Sequence, residues 1–181
     1  MSDSRRAIVL AVGGGIAAYK SAFLCSRLVQ SGHDVRVVLT KSALKFVGVS
    51  TFSALSGQAV ATDVFQPEQF PLGAHIELAK VCDLMIVAPA TANVMARFAS
   101  GMADDLISTL YLQVASPVLL APAMSDSMWQ KSAVRRNVAC LREDGCHFVG
   151  PSSGWLSCRA SGEGRMSEPN EILEAAEALF N

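Results

Sequence analysis

The residues best suited to chemistry begin at Gly13-Gly14-Gly15, set between the apolar run Ala7–Val12 and a helix-forming segment from Ile16. Glycines allow a tight turn there and leave no Cβ to block a ligand. The helix behind them aims its unpaired N–H groups and positive dipole end at the turn, which suits a phosphate. The spacing Gly13-x-Gly15-x-x-Ala18 fits a dinucleotide fingerprint, but that fingerprint also needs an acid at the end of the second strand. The second strand reads Asp34–Leu39, and its single acid lies at the wrong end to reach a ribose. No Gly-Lys-Ser/Thr follows the glycines, so the P-loop is excluded too. A mononucleotide phosphate fits better, with a simple tight βα connection as the structural alternative.

Proton chemistry points first to His75, since an imidazole titrates near neutral pH. Its structural alternative is a helix cap. His33 follows a helix-ending glycine and His147 opens a strand, so both read as structural or surface groups. The five cysteines, Cys25, Cys82, Cys140, Cys146 and Cys158, form no CxxC pair and are odd in number. They read as free thiols of a cytoplasmic protein rather than a disulfide framework.

These groups need elements to position them, and strand and helix patterns alternate along the chain. Strands are expected at Ala7–Val12, Asp34–Leu39, Leu84–Ala88, Pro117–Ala121 and His147–Val149, with Pro89 and Pro122 ending the third and fourth. Helices are expected near 16–30, 43–46, 50–55, 76–80, 91–98, 105–113, 133–143 and 170–180. Thr91 or Asn93 would cap the fifth of these, and Asp104-Asp105 would sit in the first turn of the sixth. Residues 57–73 and the Ser/Gly-rich stretch 151–168 read as loops. The order predicts an α/β fold, a three-layer open parallel sheet with helices on both faces, Rossmann- or flavodoxin-like. Ligands in such sheets sit beyond the carboxyl ends of the strands. Here those ends are Gly13–Gly15, Thr40, Pro89–Asn93 and Pro122–Ser125.

Composition bounds the rest. A chain of 181 residues that is 51% hydrophobic suffices for one domain, 1–181, with a substantial core. Its net charge of −1, with no basic cluster, argues against nucleic acid and against an anionic membrane. The start lacks the features of a signal peptide, and no apolar run approaches a membrane span.

Taken together, GGGIAAYK, HIELAK, APATANVMARFASGMADDLIST, PAMSDSMW and the GP…C…GEGRM…EP pattern resemble the flavin-dependent cysteine decarboxylases. Within them the resemblance is strongest to the branch that decarboxylates 4′-phosphopantothenoylcysteine in coenzyme A biosynthesis. It covers roughly residues 7–180, with five motifs in order. It implies FMN as cofactor, with Gly14, Gly15 and Ile16 at the flavin turn and Thr40 beside it. Thr91, Ala92, Asn93 and Val94 correspond to the family's PASANT-type segment, and Ala123 faces the flavin. Backbone amides with small hydroxyl and amide groups could satisfy the cofactor without cationic side chains.

The resemblance also implies the reaction. Oxidation of the substrate's carbon–sulfur unit gives a thioaldehyde, which accepts the electrons released with CO₂ as an enethiolate; protonation and reduction complete a saturated product. His75 matches the family's active-site histidine. Cys158 matches the cysteine that donates the proton for the final reduction, in a lid loop at about 151–168. Gly164 and Arg165 of that loop, with Met128 and Ser125, match substrate-binding positions. Ser125 departs from the pattern, because the family's PxMNxxMW has an Asn that contacts the substrate carboxylate. The shorter hydroxyl lacks the amide NH₂, which predicts impaired turnover. Trp129 reads equally well as core.

A homo-oligomer, trimer or dodecamer, is implied, with His75 facing a neighbouring subunit's flavin. In many bacteria this domain is fused to a synthetase domain, so the chain reads as a stand-alone enzyme or as one domain of a longer protein. The alternatives are a peptidyl-cysteine decarboxylase acting on a ribosomal peptide C-terminus, and a non-catalytic flavin-binding regulatory subunit. A prenyl-FMN-forming transferase would want a basic site for a prenyl phosphate, which these motifs lack.

Overall fold

Ala7–Val12 forms β1, and from Ile8 onward every one of its residues is buried. A strand with no polar side to turn to water belongs in the middle of a parallel sheet. It pairs in parallel with β2 (Asp34–Leu39) on one side and β3 (Leu84–Ala90) on the other. β4 (Val118–Pro122) and β5 (His147–Phe148) extend the sheet in parallel, giving the order β2-β1-β3-β4-β5. The computed structural model describes residues 5–180.

Side chains alternate across these strands, so each strand feeds two cores. On one face Ile8, Leu10, Val12, Leu84 and Ile86 pack with residues of α1 (Ala18–Gln30), α2 (Val49–Ser56) and α8 (Pro169–Ala178). On the other, Val9, Ala11, Met85 and Val87 meet α3 (Ala74–Val81), α4 (Ala92–Ala99), α5 (Leu106–Gln113) and α7 (Ser132–Glu143). This is the three-layer α/β arrangement expected. Each fully buried Leu, Ile or Met in these layers contributes on the order of 1.5–3 kcal/mol.

Local chemistry sets several boundaries. Thr91 caps α4, its Oγ1 accepting the Val94 N–H at 3.3 Å. Asp105 caps α5 in a reciprocal box with Ser108, while Asp104 lies outside the helix and pairs with Arg97 Nε at 2.7 Å. Pro89 does not end β3. The ladder shifts register between Val87 and Ala90, and the strand runs on, because a proline lacking an N–H is tolerated at such an irregularity.

Two elements escape the sequence pattern. A single turn, α6 (Asp126–Trp129), follows the fourth strand. The stretch 151–168 is no loop: β6 (Ser152–Trp155) and β7 (Ser161–Arg165) form an antiparallel hairpin. Alternation is missing there because glycines occupy the positions where the hairpin meets other groups. A Cβ on Gly162 would strike the Asp126 side chain, and one on Gly164 would strike the Met124 carbonyl. Residues 57–73 form a loop as expected, tied to the sheet edge by a bridge between Val38 and Ala61. No helix among the described residues is long and apolar enough to cross a membrane.

Candidate active site

The chain passes from β1 to β2 on one side and returns to β3 on the other, so the loops leaving β1 and β3 diverge and open a crevice. A cavity of about 960 Å³ occupies that crevice at the carboxyl ends of β1 to β4. Its size is at the upper end for ligand pockets, roughly 300–1,000 Å³.

The glycine turn forms its floor. Gly13 and Gly14 serve close packing more than ligand approach, since Cβ atoms there would strike the Pro89 carbonyl and the Ser42 side chain. Gly15 faces open space beside Thr91, 3.8 Å from where its Cβ would lie. The N–H groups of Ala18 and Lys20 turn back on the Gly15 and Ala17 carbonyls, at 2.9 and 3.0 Å. Those of Gly14, Gly15 and Ile16 have no intramolecular partner among the described residues and border the cavity. Three unpaired amides at one turn make an anion cradle.

Thr40 lines the cavity, but its hydroxyl is engaged locally, donating to the Val12 carbonyl and accepting the Ala43 N–H at 3.0 Å. Neighbouring Ser42, exposed on the same wall, was not anticipated as a site residue. Thr91, Ala92, Asn93 and Val94 line the cavity as a group, with Asn93 exposed to it. Ala123, Met124, Ser125 and Met128 form the next wall. Ser125 precedes α6, and its hydroxyl lies 3.3 Å from that of Ser127 instead of capping the turn. Trp129 is buried under the Arg135 guanidinium, so of the readings open to it, core packing holds.

The hairpin closes the last side with Trp155, Leu156, Ser157, Cys158, Gly164 and Arg165. It is docked, not free. The Met124 N–H donates to the Gly164 carbonyl at 2.9 Å, and the Glu163 N–H donates to Asp126 Oδ1 at 3.1 Å. Cys158 is exposed at the cavity mouth. The other thiols lie elsewhere; burial pushes that of Cys25 up to about 11 and raises those of Cys82 and Cys146.

His75 does not line this cavity. It stands in the first turn of α3 with its ring against Gly73, and its Nδ1 is buried without a partner among the described residues. The cavity is also less free of cations than the motifs suggested: Lys20, Lys41, Arg97 and Arg165 all border it. Each is paired with a carboxylate, on Glu168, Asp63, Asp104 and Glu168 respectively. Lys41 sits on a segment that gave no functional signal, and Arg97, although inside the motif APATANVMARFASGMADDLIST, was not singled out as a site residue. Lys20 lies inside the glycine motif, where only its helical spacing was legible. The lip residues Thr62–Phe65 come from the loop 57–73, and their place depends on the Gln66 side chain, which accepts the Thr62 N–H at 2.6 Å.

An open parallel sheet with an amide-lined crevice at its switch point defines a nucleotide-binding α/β protein. The flavoprotein family profile matches residues 1–181, and the chain belongs to that family. Over 177 residues it is 46% identical to the coenzyme A biosynthesis bifunctional protein CoaBC of Bacillus subtilis, covering 98% of this chain and 44% of that protein. The CoaBC protein of Mycolicibacterium smegmatis is also 46% identical, over 178 residues, covering 98% and 42%. The chain thus spans less than half the length of these relatives.

Among solved structures, a Cys-to-Ser mutant of PPC decarboxylase complexed with pantothenoylaminoethenethiol superposes with a TM-score of 0.86 at 27% identity. That match covers 97% of this chain and 98% of the other. The FMN-dependent cysteine decarboxylase SpaF gives 0.77 at 29% identity, covering 96% and 98%. The FMN binding protein AtHal3 gives 0.83 at 28%, covering 97% of each.

Proposed function

We propose that this chain is an FMN-dependent decarboxylase that converts 4′-phosphopantothenoylcysteine to 4′-phosphopantetheine. The observation that carries the reading is the set of unpaired amides at Gly14, Gly15 and Ile16, opening into a cavity large enough for a mononucleotide and a small substrate. The similarity to CoaBC proteins and to PPC decarboxylase supports the substrate.

The residues present fit the cofactor. The three amides and Ser42 would hold the phosphate, while Thr91, Ala92, Asn93, Val94 and Ala123 would border the ring, with Thr40 shaping the turn from behind. When bound, the flavin supplies a two-electron acceptor for the thiol carbon.

The chain's own groups then bind, orient and move protons. Ser125 offers one hydroxyl to the substrate carboxylate, and Met128 packs beside it. The hairpin carrying Gly164 and Arg165 acts as the lid of the domain and excludes water from the reacting centre. Cys158 Sγ–H, at the cavity mouth, is the proton donor for the final reduction. His75 handles protons from a neighbouring subunit, which gives its unpartnered Nδ1 a role that the isolated chain does not. A homo-oligomer, trimer or dodecamer, follows from that reading, and the exposed stripe Ile16, Tyr19 and Phe23 on and beside α1 supplies apolar surface for it.

The test is cofactor content. Purified protein should be yellow, with one FMN per chain released on denaturation. A nicotinamide cofactor, or no flavin after reconstitution, would overturn the proposal.

A further inference from the structure

Lys20 is a buried cation, 7% exposed, on the wall of the cavity. Its Nζ donates to Glu168 Oε1 at 2.9 Å and to the Met166 carbonyl at 3.2 Å. Arg165 Nη2 donates to the same Glu168 oxygen at 2.6 Å. One carboxylate oxygen therefore joins two cations from two elements, α1 behind the glycine turn and β7 of the hairpin. Lys20 first, then Arg165, holds the Glu168 carboxyl below the usual carboxylate range. The Arg165 side chain crosses the hairpin at Gly154, where an added Cβ would come within 3.2 Å of both Cδ and Nη1.

Two cations share one anion, so the group carries one positive charge in excess. The two cations are not equally free to leave. Losing Glu168 would strand a desolvated ammonium on Lys20, which is strongly unfavourable. Arg165, with a side chain 42% exposed, can exchange Glu168 for another anion at little cost.

We propose that Lys20 is a positioning residue: by neutralising Glu168 it leaves Arg165 available to an anionic group of the substrate, a carboxylate or a phosphate. The inference rests on the cavity being the substrate site. Without Lys20, Glu168 keeps Arg165 for itself and the anion site is lost. Without both Lys20 and Glu168, Arg165 is free again.

The test uses calorimetric binding of 4′-phosphopantothenoylserine and of pantothenoylserine to flavin-loaded protein; both keep the substrate's carboxylate and lack the thiol, so no turnover occurs. Lys20→Met should weaken phosphopantothenoylserine binding about tenfold, the loss of one hydrogen bond to a charged group. Glu168→Gln, which keeps an oxygen to cap α8, should lower the thermal midpoint by leaving Lys20 without its counter-charge, but should not weaken binding. Lys20→Met combined with Glu168→Gln should return to within about twofold of the parent, and Arg165→Gln should match Lys20→Met.

Weakening confined to phosphopantothenoylserine assigns Arg165 to the phosphate; equal weakening of pantothenoylserine assigns it to the carboxylate. A double variant as weak as Lys20→Met, with an unchanged thermal midpoint, overturns the inference and makes Lys20 a structural brace. Unchanged binding in Lys20→Met overturns it too, while leaving decarboxylation by the parent intact. A parent that binds neither probe and releases no CO₂ from phosphopantothenoylcysteine removes the substrate reading, and the inference with it.

Discussion

Ser125 holds its hydroxyl against that of Ser127 and away from the α6 amides, so it remains on the cavity wall as a donor. An Asn there would add an amide NH₂ toward a carboxylate. A hydrogen bond to a charged group contributes about 1.5–3 kcal/mol, roughly ten- to a hundredfold in rate or affinity. Ser125→Asn should therefore raise turnover of phosphopantothenoylcysteine by that factor without changing flavin content. Full parent activity with no gain from Asn would mean that the contact is made by another group.

Cys158 should be separable from decarboxylation. Cys158→Ser is expected to retain flavin and release CO₂ while yielding an unsaturated enethiol, identified by a product 2 Da lighter than phosphopantetheine. Saturated product at the parent rate would exclude it as the proton donor. Cys25 makes an opposite, structural prediction. Its thiol ionises near 9 when unfolded but at about 11 when folded, so between these values only the unfolded chain loses the proton. Its contribution to stability is complete below pH 9 and declines up to about pH 11. Cys25→Ala should flatten that part of an alkaline denaturation profile; an unchanged slope would count against a buried thiol.

At the scale of elements, the five strands and most helices were legible because their hydrophobic periods match their burial. β1 is apolar throughout and central; α4 carries Val94, Met95 and Phe98 on one buried face. The hairpin β6–β7 was not legible, because Gly154, Gly162 and Gly164 stand where side chains would have marked a strand. Gly162 and Gly164 are a docking surface read in negative, while Gly154 makes room for the Arg165 side chain of the same hairpin. Gly164 combines a φ of +122° with the Met124 carbonyl at its Cα, so Gly164→Ala should unseat the hairpin at a cost of about 1–3 kcal/mol. Hydrogen exchange should then accelerate at Met124 and Glu163, the two amides that fasten it, with β1 unaffected. Unchanged protection at both would show that the hairpin is held elsewhere.

For the whole molecule, the glycine turn and the 91–94 segment could be placed from sequence because each directly follows a strand. The Lys20–Glu168 pair could not, since the two residues are 148 apart in sequence and meet only through the packing of α1 against α8. His75 lies outside the cavity of a single chain, so under the proposed function activity would depend on assembly. Light scattering should give a trimer or a multiple of it, and a monodisperse monomer would leave His75 without its site.

The most direct test of the central claim is to incubate flavin-loaded protein, as the parent and as Ser125→Asn, with 4′-phosphopantothenoylcysteine and weigh the product. The account predicts loss of 44 Da, one CO₂, with a saturated product, slow in the parent and about ten- to a hundredfold faster with Asn. Substrate recovered unchanged from both proteins, with FMN bound, would contradict it.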